Sequence, residues 1–120
     1  MHLLGETMKV EKPWGYEIRW AINDKYLGKI LYINEGHRLS KQYHEIKDET
    51  VYVLKGKLQV FMGPKDIELH IPAGHALRIK PGEIHRFCAG LGSDVELVEV
   101  STPEIEDVIR IEDDYDRKES

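Results

Sequence analysis

Four side chains that can bind a metal ion stand at telling intervals in this chain of 120 residues. One residue separates Gln42 from His44, four residues separate His44 from Glu49, and His85 follows far downstream, just after Pro81-Gly82. On a strand, positions two apart leave the same face, so Gln42 and His44 are expected to project together. Four intervening residues are enough to turn a corner and bring the Glu49 carboxylate back beside them. Two imidazoles, an amide oxygen and a carboxylate make a mixed nitrogen and oxygen set. Such a set suits borderline divalent ions: zinc, manganese, iron, cobalt or nickel. The single thiol, Cys88, lies three residues beyond His85, where alternation sends it to the opposite face. A thiolate zinc site is therefore not expected.

The elements that must position these residues read as strands. Lys29–Ile33 is a short apolar and β-branched run that stops at Asn34-Glu35-Gly36. Thr50–Leu54 and Leu58–Met62 flank Lys55-Gly56-Lys57, a glycine-centred connection that predicts a β-hairpin. Ile67–Ile71, Ala76–Lys80, His85–Cys88 and Val95–Val100 continue the series, each bounded by Gly or Pro turns. Short strands at this spacing indicate a sandwich or barrel, and no segment carries an apolar stripe of helical period over three turns. The whole chain, 1–120, reads as one domain, with a core at about 10–103 and an acidic C-terminal segment, 104–120, that has little to bury. That segment is open to reading as a strand, a helical turn or a loose tail.

Composition narrows the function classes. With 41% hydrophobic and 32% charged residues the chain is ordinary for a globular protein. A net charge of −5 argues against a general nucleic-acid binder, yet leaves room for a locally basic pocket. One cysteine excludes an intramolecular disulfide. No apolar run is long enough to span a membrane, and Met1–Glu6 lacks the basic start and apolar run of a signal peptide, so a cytoplasmic location is expected.

Two blocks of the sequence resemble the two cupin motifs. The first is Gly36, Gln42, His44, Glu49 and Gly56 at the family spacing, with Gln42 where most cupins have histidine; the second is Gly74, Lys80-Pro81-Gly82 and His85. Three further blocks, Lys12-Pro13-Trp14-Gly15-Tyr16-Glu17, Leu39–His44 and Glu106–Arg117, are similar to the C-terminal cupin domain of type II mannose-6-phosphate isomerases. The resemblance implies an all-β fold, the cupin double-stranded β-helix or jelly-roll barrel. It also implies one divalent ion on Gln42, His44, Glu49 and His85, zinc first, and a homodimer. The implied reaction interconverts mannose 6-phosphate and fructose 6-phosphate.

That chemistry requires a group to move a proton and a fixed positive charge for the phosphate. Arg86, which matches an arginine the family carries after its last ligand, is the candidate catalytic residue. Lys47, Arg78, Lys80 and Arg110 are the candidates for binding a sugar or sugar phosphate. The chain departs from the family where Glu45-Ile46-Lys47-Asp48 replaces a stretch rich in histidine and arginine, and where Thr50-Val51 replaces a histidine and a tryptophan. These departures, and the lack of the nucleotidyltransferase domain that often precedes this cupin, support an alternative: a non-catalytic cupin that binds a sugar or sugar phosphate. A cupin oxygenase using iron on two histidines and a carboxylate is a further alternative.

Overall fold

The computed structural model describes residues 7–115. The signal-peptide reading of Met1–Glu6 and the charged end of the tail lie outside the described residues. Among the described residues there are eleven strands: β1 (Met8–Lys12), β2 (Gly15–Ile22), β3 (Leu27–Ile33), β4 (Lys41–Tyr43), β5 (Glu49–Lys55), β6 (Lys57–Met62), β7 (Ile67–Pro72), β8 (Ala76–Ile79), β9 (His85–Ala89), β10 (Val95–Ser101) and β11 (Ile109–Glu112). They make a six-stranded sheet, β1-β2-β3-β10-β5-β8, and a five-stranded sheet, β11-β4-β9-β6-β7. Every pairing is antiparallel. No helix among the described residues is long and apolar enough to cross a membrane. The all-β expectation holds.

Alternation explains why the sheets face each other. In β10, Val95, Leu97, Glu99 and Ser101 are buried, while the residues between them are half-buried or exposed. β3 and β5 follow the same period of two, burying Leu31 and Ile33 and, in β5, Val51 and Val53. Leu58, Val60 and Phe87 from the other sheet complete the apolar core. Each such side chain contributes about 1.5–3 kcal/mol by leaving water. This parity drives the collapse.

The hairpin expected at Lys55-Gly56-Lys57 does not form. β5 belongs to the six-stranded sheet and β6 to the five-stranded one, so Gly56 is a corner where the chain changes sheets. Gly56 has φ +81°, and a Cβ there would lie 2.4 Å from the carbonyl oxygen of Asp94. A glycine flanked by two strands is needed equally by a hairpin turn and by this corner, so the local signal could not separate them. Gly15 serves a close approach of a different kind. A Cβ on it would fall 2.0 Å from the carbonyl oxygen of Tyr32, which sits beside it across β2 and β3.

The acidic C-terminal segment is not a loose tail within the described residues. β11 pairs with β4, and Asp114 accepts hydrogen bonds from Arg38 at 2.6 and 3.0 Å. β1 and β2, which the strand pattern above did not pick out, form the outer edge of the larger sheet.

One row of the inner face departs from the apolar rule. Arg19, Lys29 and Glu99 are cross-strand partners on β2, β3 and β10. The next inward row toward the middle of the barrel holds Glu17 followed by Leu31, Leu97 and Val53. The barrel is thus apolar through its middle and charged at one end.

Candidate metal centre

At that charged end three buried side chains converge. His44 follows β4 directly, Glu49 opens β5 and His85 opens β9. One ligand atom from each lies within 4.8 Å of the others. Exposure is 3% for His44, 3% for Glu49 and 1% for His85, so solvent does not screen the cluster. Gln42 sits on β4 as the direct cross-strand partner of His85, and its side chain borders the same cavity. Its Oε1 accepts a hydrogen bond from the Ser40 hydroxyl at 2.6 Å. An amide oxygen has two lone pairs, so that bond orients the group without exhausting it.

Both imidazoles are fixed by backbone carbonyls. Nδ1–H of His44 donates to the carbonyl oxygen of Asp107 at 2.5 Å, and Nδ1–H of His85 donates to that of Glu83 at 2.9 Å. Each Nε2 is therefore left as the lone-pair nitrogen, directed into the cluster. His44 Nε2 is 2.7 Å and His85 Nε2 is 3.7 Å from Glu49 Oε1. His85 Nε2 is fully buried with no hydrogen-bond partner. Lone pairs facing a carboxylate at such range call for a positive centre between them, a proton on an imidazole or a metal ion, and this donor set suits a divalent metal ion.

The electrostatics agree. Burial opposes ionisation of Glu49, but in the metal-free protein a hydrogen bond donated by a proton on His44 Nε2, together with the Lys47 charge, outweighs it and holds the carboxylate well below the usual range. Burial lowers the His85 pKa against the pull of Glu49, favouring the neutral ring a ligand needs. Behind Glu49, the carboxyl of Glu99 is pushed up by burial and then by the Glu49 charge. Lys47 Nζ lies 3.0 Å from Glu99 Oε2 with both side chains enclosed. Burial would discharge that ammonium; Glu99 and Glu49 more than offset it and hold the charge.

The other sequence candidates divide. Lys47 and Arg110 line the cavity, Lys47 from the loop before β5 and Arg110 from β11. Arg86 does not. As the neighbour of an inward His85 it points the other way, where its Nε donates to the Leu39 carbonyl at 2.9 Å and a terminal nitrogen donates to Asp114 at 3.1 Å. Strand alternation prevails over the match in position, so Arg86 does not border the cluster. Arg78 is exposed on the edge strand β8 and forms a forked pair with Asp48 at 2.6 and 3.1 Å. Lys80 is exposed in the turn after β8, its N–H donating to Glu83. Neither of these two borders the cavity.

The structure adds residues to which the sequence reading gave no role: Lys12, Glu17 and Asp107, which lie within the family-like blocks, and Arg19, Lys29 and Glu99 outside them, also line the cavity. A signal for two of them was present. Lys29 shares parity with Leu31 and Ile33, and Glu99 with Val95 and Leu97, so each is a charge on an apolar face. Cys88 is buried, and burial pushes its thiol up to about 11, which leaves it unreactive and outside the cluster.

Two facing antiparallel sheets with a His/Glu/His cluster at one end define the cupin class. The chain belongs to the family described as mannose-6-phosphate isomerase C-terminal, whose pattern matches residues 2–113. No curated protein matches the sequence. Among solved structures, a Klebsiella pneumoniae protein with a double-stranded β-helix domain superposes with TM-score 0.70 at 17% identity, over 92% of this chain and 88% of that one. The polyketide cyclase RemF from Streptomyces resistomycificus superposes with TM-score 0.75 at 18% identity, over 92% and 84%. A cupin sugar phosphate isomerase from Silicibacter pomeroyi gives 0.65 at 18%, over 72% of this chain and 58% of that one. At such identities the likeness is one of fold, and one fold hosts many chemistries.

Proposed function

We infer that this protein is a metal-dependent cupin that isomerises a sugar phosphate between its aldose and ketose forms, with Gln42, His44, Glu49 and His85 holding one divalent ion, zinc first. The observation that carries this reading is the buried convergence of two carbonyl-fixed imidazoles on Glu49 in a cavity walled by charged groups. Membership of the isomerase C-terminal family supports the choice of substrate class.

When bound, the ion supplies Lewis-acid stabilisation of the oxyanion that develops as the carbonyl enolises. The protein's own groups orient the donors and shape the site. Asp107 and Glu83 orient the rings through their carbonyl oxygens, and Ser40 orients the Gln42 amide. Lys47 keeps positive charge behind the carboxylates, which favours electron density collecting on the substrate oxygen. Leu39, Phe87 and Ile105 contribute apolar wall that limits water at the reacting carbons. The homodimer that the resemblance implies and the cytoplasmic location expected from the sequence both belong to this proposal.

Metal-loaded protein incubated with a panel of sugar phosphates, mannose 6-phosphate included, tests the reading. Interconversion followed by NMR is the expected result; no turnover across the panel overturns it. A second reading, a cupin that binds its sugar without turnover, is favoured by one observation. The Lys47 ammonium, at the position where the family commonly has a basic cluster, is taken up by Glu99 and does not face the cavity alone. Calorimetry showing affinity without conversion would select it.

A further inference from the structure

The cavity has a second end, and it is cationic. Glu17, on the inner face of β2, is 3% exposed and is the meeting point of three positive side chains. Arg19 Nε donates to its Oε2 at 2.8 Å, Lys29 Nζ lies 3.2 Å from the same oxygen, and Lys12 Nζ lies 3.8 Å from Oε1. Glu99, the next carboxyl along the row, is engaged by Lys47 at 3.0 Å. Lys29 also faces Glu99 across the strands, so Arg19, Lys29 and Lys47 together outnumber the two carboxyls Glu17 and Glu99.

The geometry of the arginine contact matters. Glu17 takes the guanidinium through Nε in a single hydrogen bond, not through the two-pronged end. A guanidinium presents five N–H donors, and its fork is the part that matches a phosphate. Lys12 and Arg19 keep partly open side chains, 23% and 21% exposed, while Lys29 is 10% exposed and Glu17 4%. The carboxylate is sealed in and Lys29 nearly so, while Lys12 and Arg19 keep access to solvent. Arg19 and Lys29 are cross-strand partners, so their spacing is set by the sheet and costs little ordering on binding.

This group is built into the same cavity as the metal cluster, yet stands apart from it. β10 lies between β3 and β5 in the sheet, which places the Lys29 and Glu49 strands about 10 Å apart. A short molecule with a carbonyl at one end and an anion at the other can span the two.

We propose that Lys12, Arg19 and Lys29, gathered on Glu17, form the subsite that holds the phosphate of a small phosphorylated substrate. The proposal deepens the isomerase reading by naming residues for its anionic handle, and it moves that role away from Arg78 and Lys80, which face solvent. Glu17 aligns the cations, and the phosphate completes their charge balance.

The test uses metal-free protein and inorganic phosphate as the probe, so that neither turnover nor a bound ion enters the readout. Calorimetric titration is expected to show phosphate binding to the wild type, with acetate at the same concentration binding far less. Arg19→Gln should weaken phosphate roughly tenfold, the loss of one charge-assisted contact, while Arg19→Lys restores part of it. Arg78→Gln, outside the cavity, should change nothing. Because Arg19 lies inside the barrel, Lys12→Gln on the edge strand is the second variant and should weaken phosphate in the same direction. Phosphate affinity indifferent to both Arg19→Gln and Lys12→Gln, no binding to folded wild type, or equal binding of acetate overturns the proposal. Failure of the isomerase reading looks different: phosphate binding that depends on Arg19, with no sugar phosphate converted.

Discussion

His44 is tied to Asp107 across 63 positions of sequence, its Nδ1–H donating to the Asp107 carbonyl oxygen at 2.5 Å. The Asp107 carboxylate meanwhile accepts the backbone N–H groups of Glu45, Ile46 and Lys47 at 3.0, 2.8 and 2.8 Å. One residue of the acidic C-terminal segment thus sets both the tautomer of a candidate ligand and the shape of the loop leading to the next one.

Removing that carboxylate should loosen the loop and leave the fold intact. Asp107→Ala is expected to lower metal affinity by roughly tenfold, since orienting partners of ligands typically carry a factor of that order or more. Asp107→Asn, which keeps one acceptor oxygen, should fall between. A competition titration against a chelator measures both; unchanged affinity in the alanine variant would show that the loop holds its shape unaided.

Elemental analysis of protein purified without chelator should find about one divalent ion per chain. His85→Ala should lose it, because Nε2 of His85 is a buried lone pair with no protein partner. Retention of a full equivalent by the variant would place the ion elsewhere.

Arg86 separates stability from chemistry. It is 4% exposed and tied to Leu39 and Asp114 on the face away from the cluster. Arg86→Met should cost about 2 kcal/mol of unfolding free energy, the scale for losing buried hydrogen bonds to a charged group. Metal stoichiometry should not change. A variant that keeps full stability but loses metal would contradict this placement.

The buried pair of Lys47 and Glu99 carries a larger penalty. Lys47→Met leaves Glu99 and Glu49 facing each other without their counter-charge, and should destabilise the metal-free protein by about 3 kcal/mol. Protonation of Glu99, already favoured by burial, absorbs part of the cost. Urea unfolding of the two proteins gives the difference directly, and an equal midpoint would mean the pair contributes nothing net.

Acid should unfold the metal-free protein through specific carboxylates. Burial opposes ionisation of Glu17 and Asp107, but Lys29 and Arg19 in one case, and the N–H groups of Lys47, Ile46 and Glu45 in the other, lower both below their ordinary values of 4.5 and 3.8. A carboxyl that binds its proton more weakly folded than unfolded stabilises the fold above its ordinary value and loses that contribution as pH falls. These carboxylates should make unfolding midpoints decline below about pH 4.5, while His85, which burial favours in its neutral form, adds a loss that begins below its ordinary 6.5 and Glu99, pushed up, offsets part of it. A midpoint that rises on acidification would contradict the assignment.

How much of this was legible in the residues differs by level. Alternation is local, so the run Val95–Val100 announced a strand with one face inward, and the same reading assigned the strands from Lys29 to Cys88. The candidate donors, of which the fold brings His44, Glu49 and His85 together, were legible because metal chemistry restricts donor types and because spacing on a strand restricts direction. Gly56 marks the limit of such reading: a glycine at φ +81° serves a hairpin or a corner alike, and only pairing β5 with β10 and β8 decided between them. The same limit hid the charged row. Arg19, Lys29 and Glu99 lie on three strands, and nothing local says that β3 will pair with β10. What the sequence determined by itself was which side chains face inward and which can bind a metal. Which of the inward charges share a carboxylate, and whether an acidic segment hangs free or clamps a histidine, depends on contacts between distant segments, and only the tertiary structure supplies those.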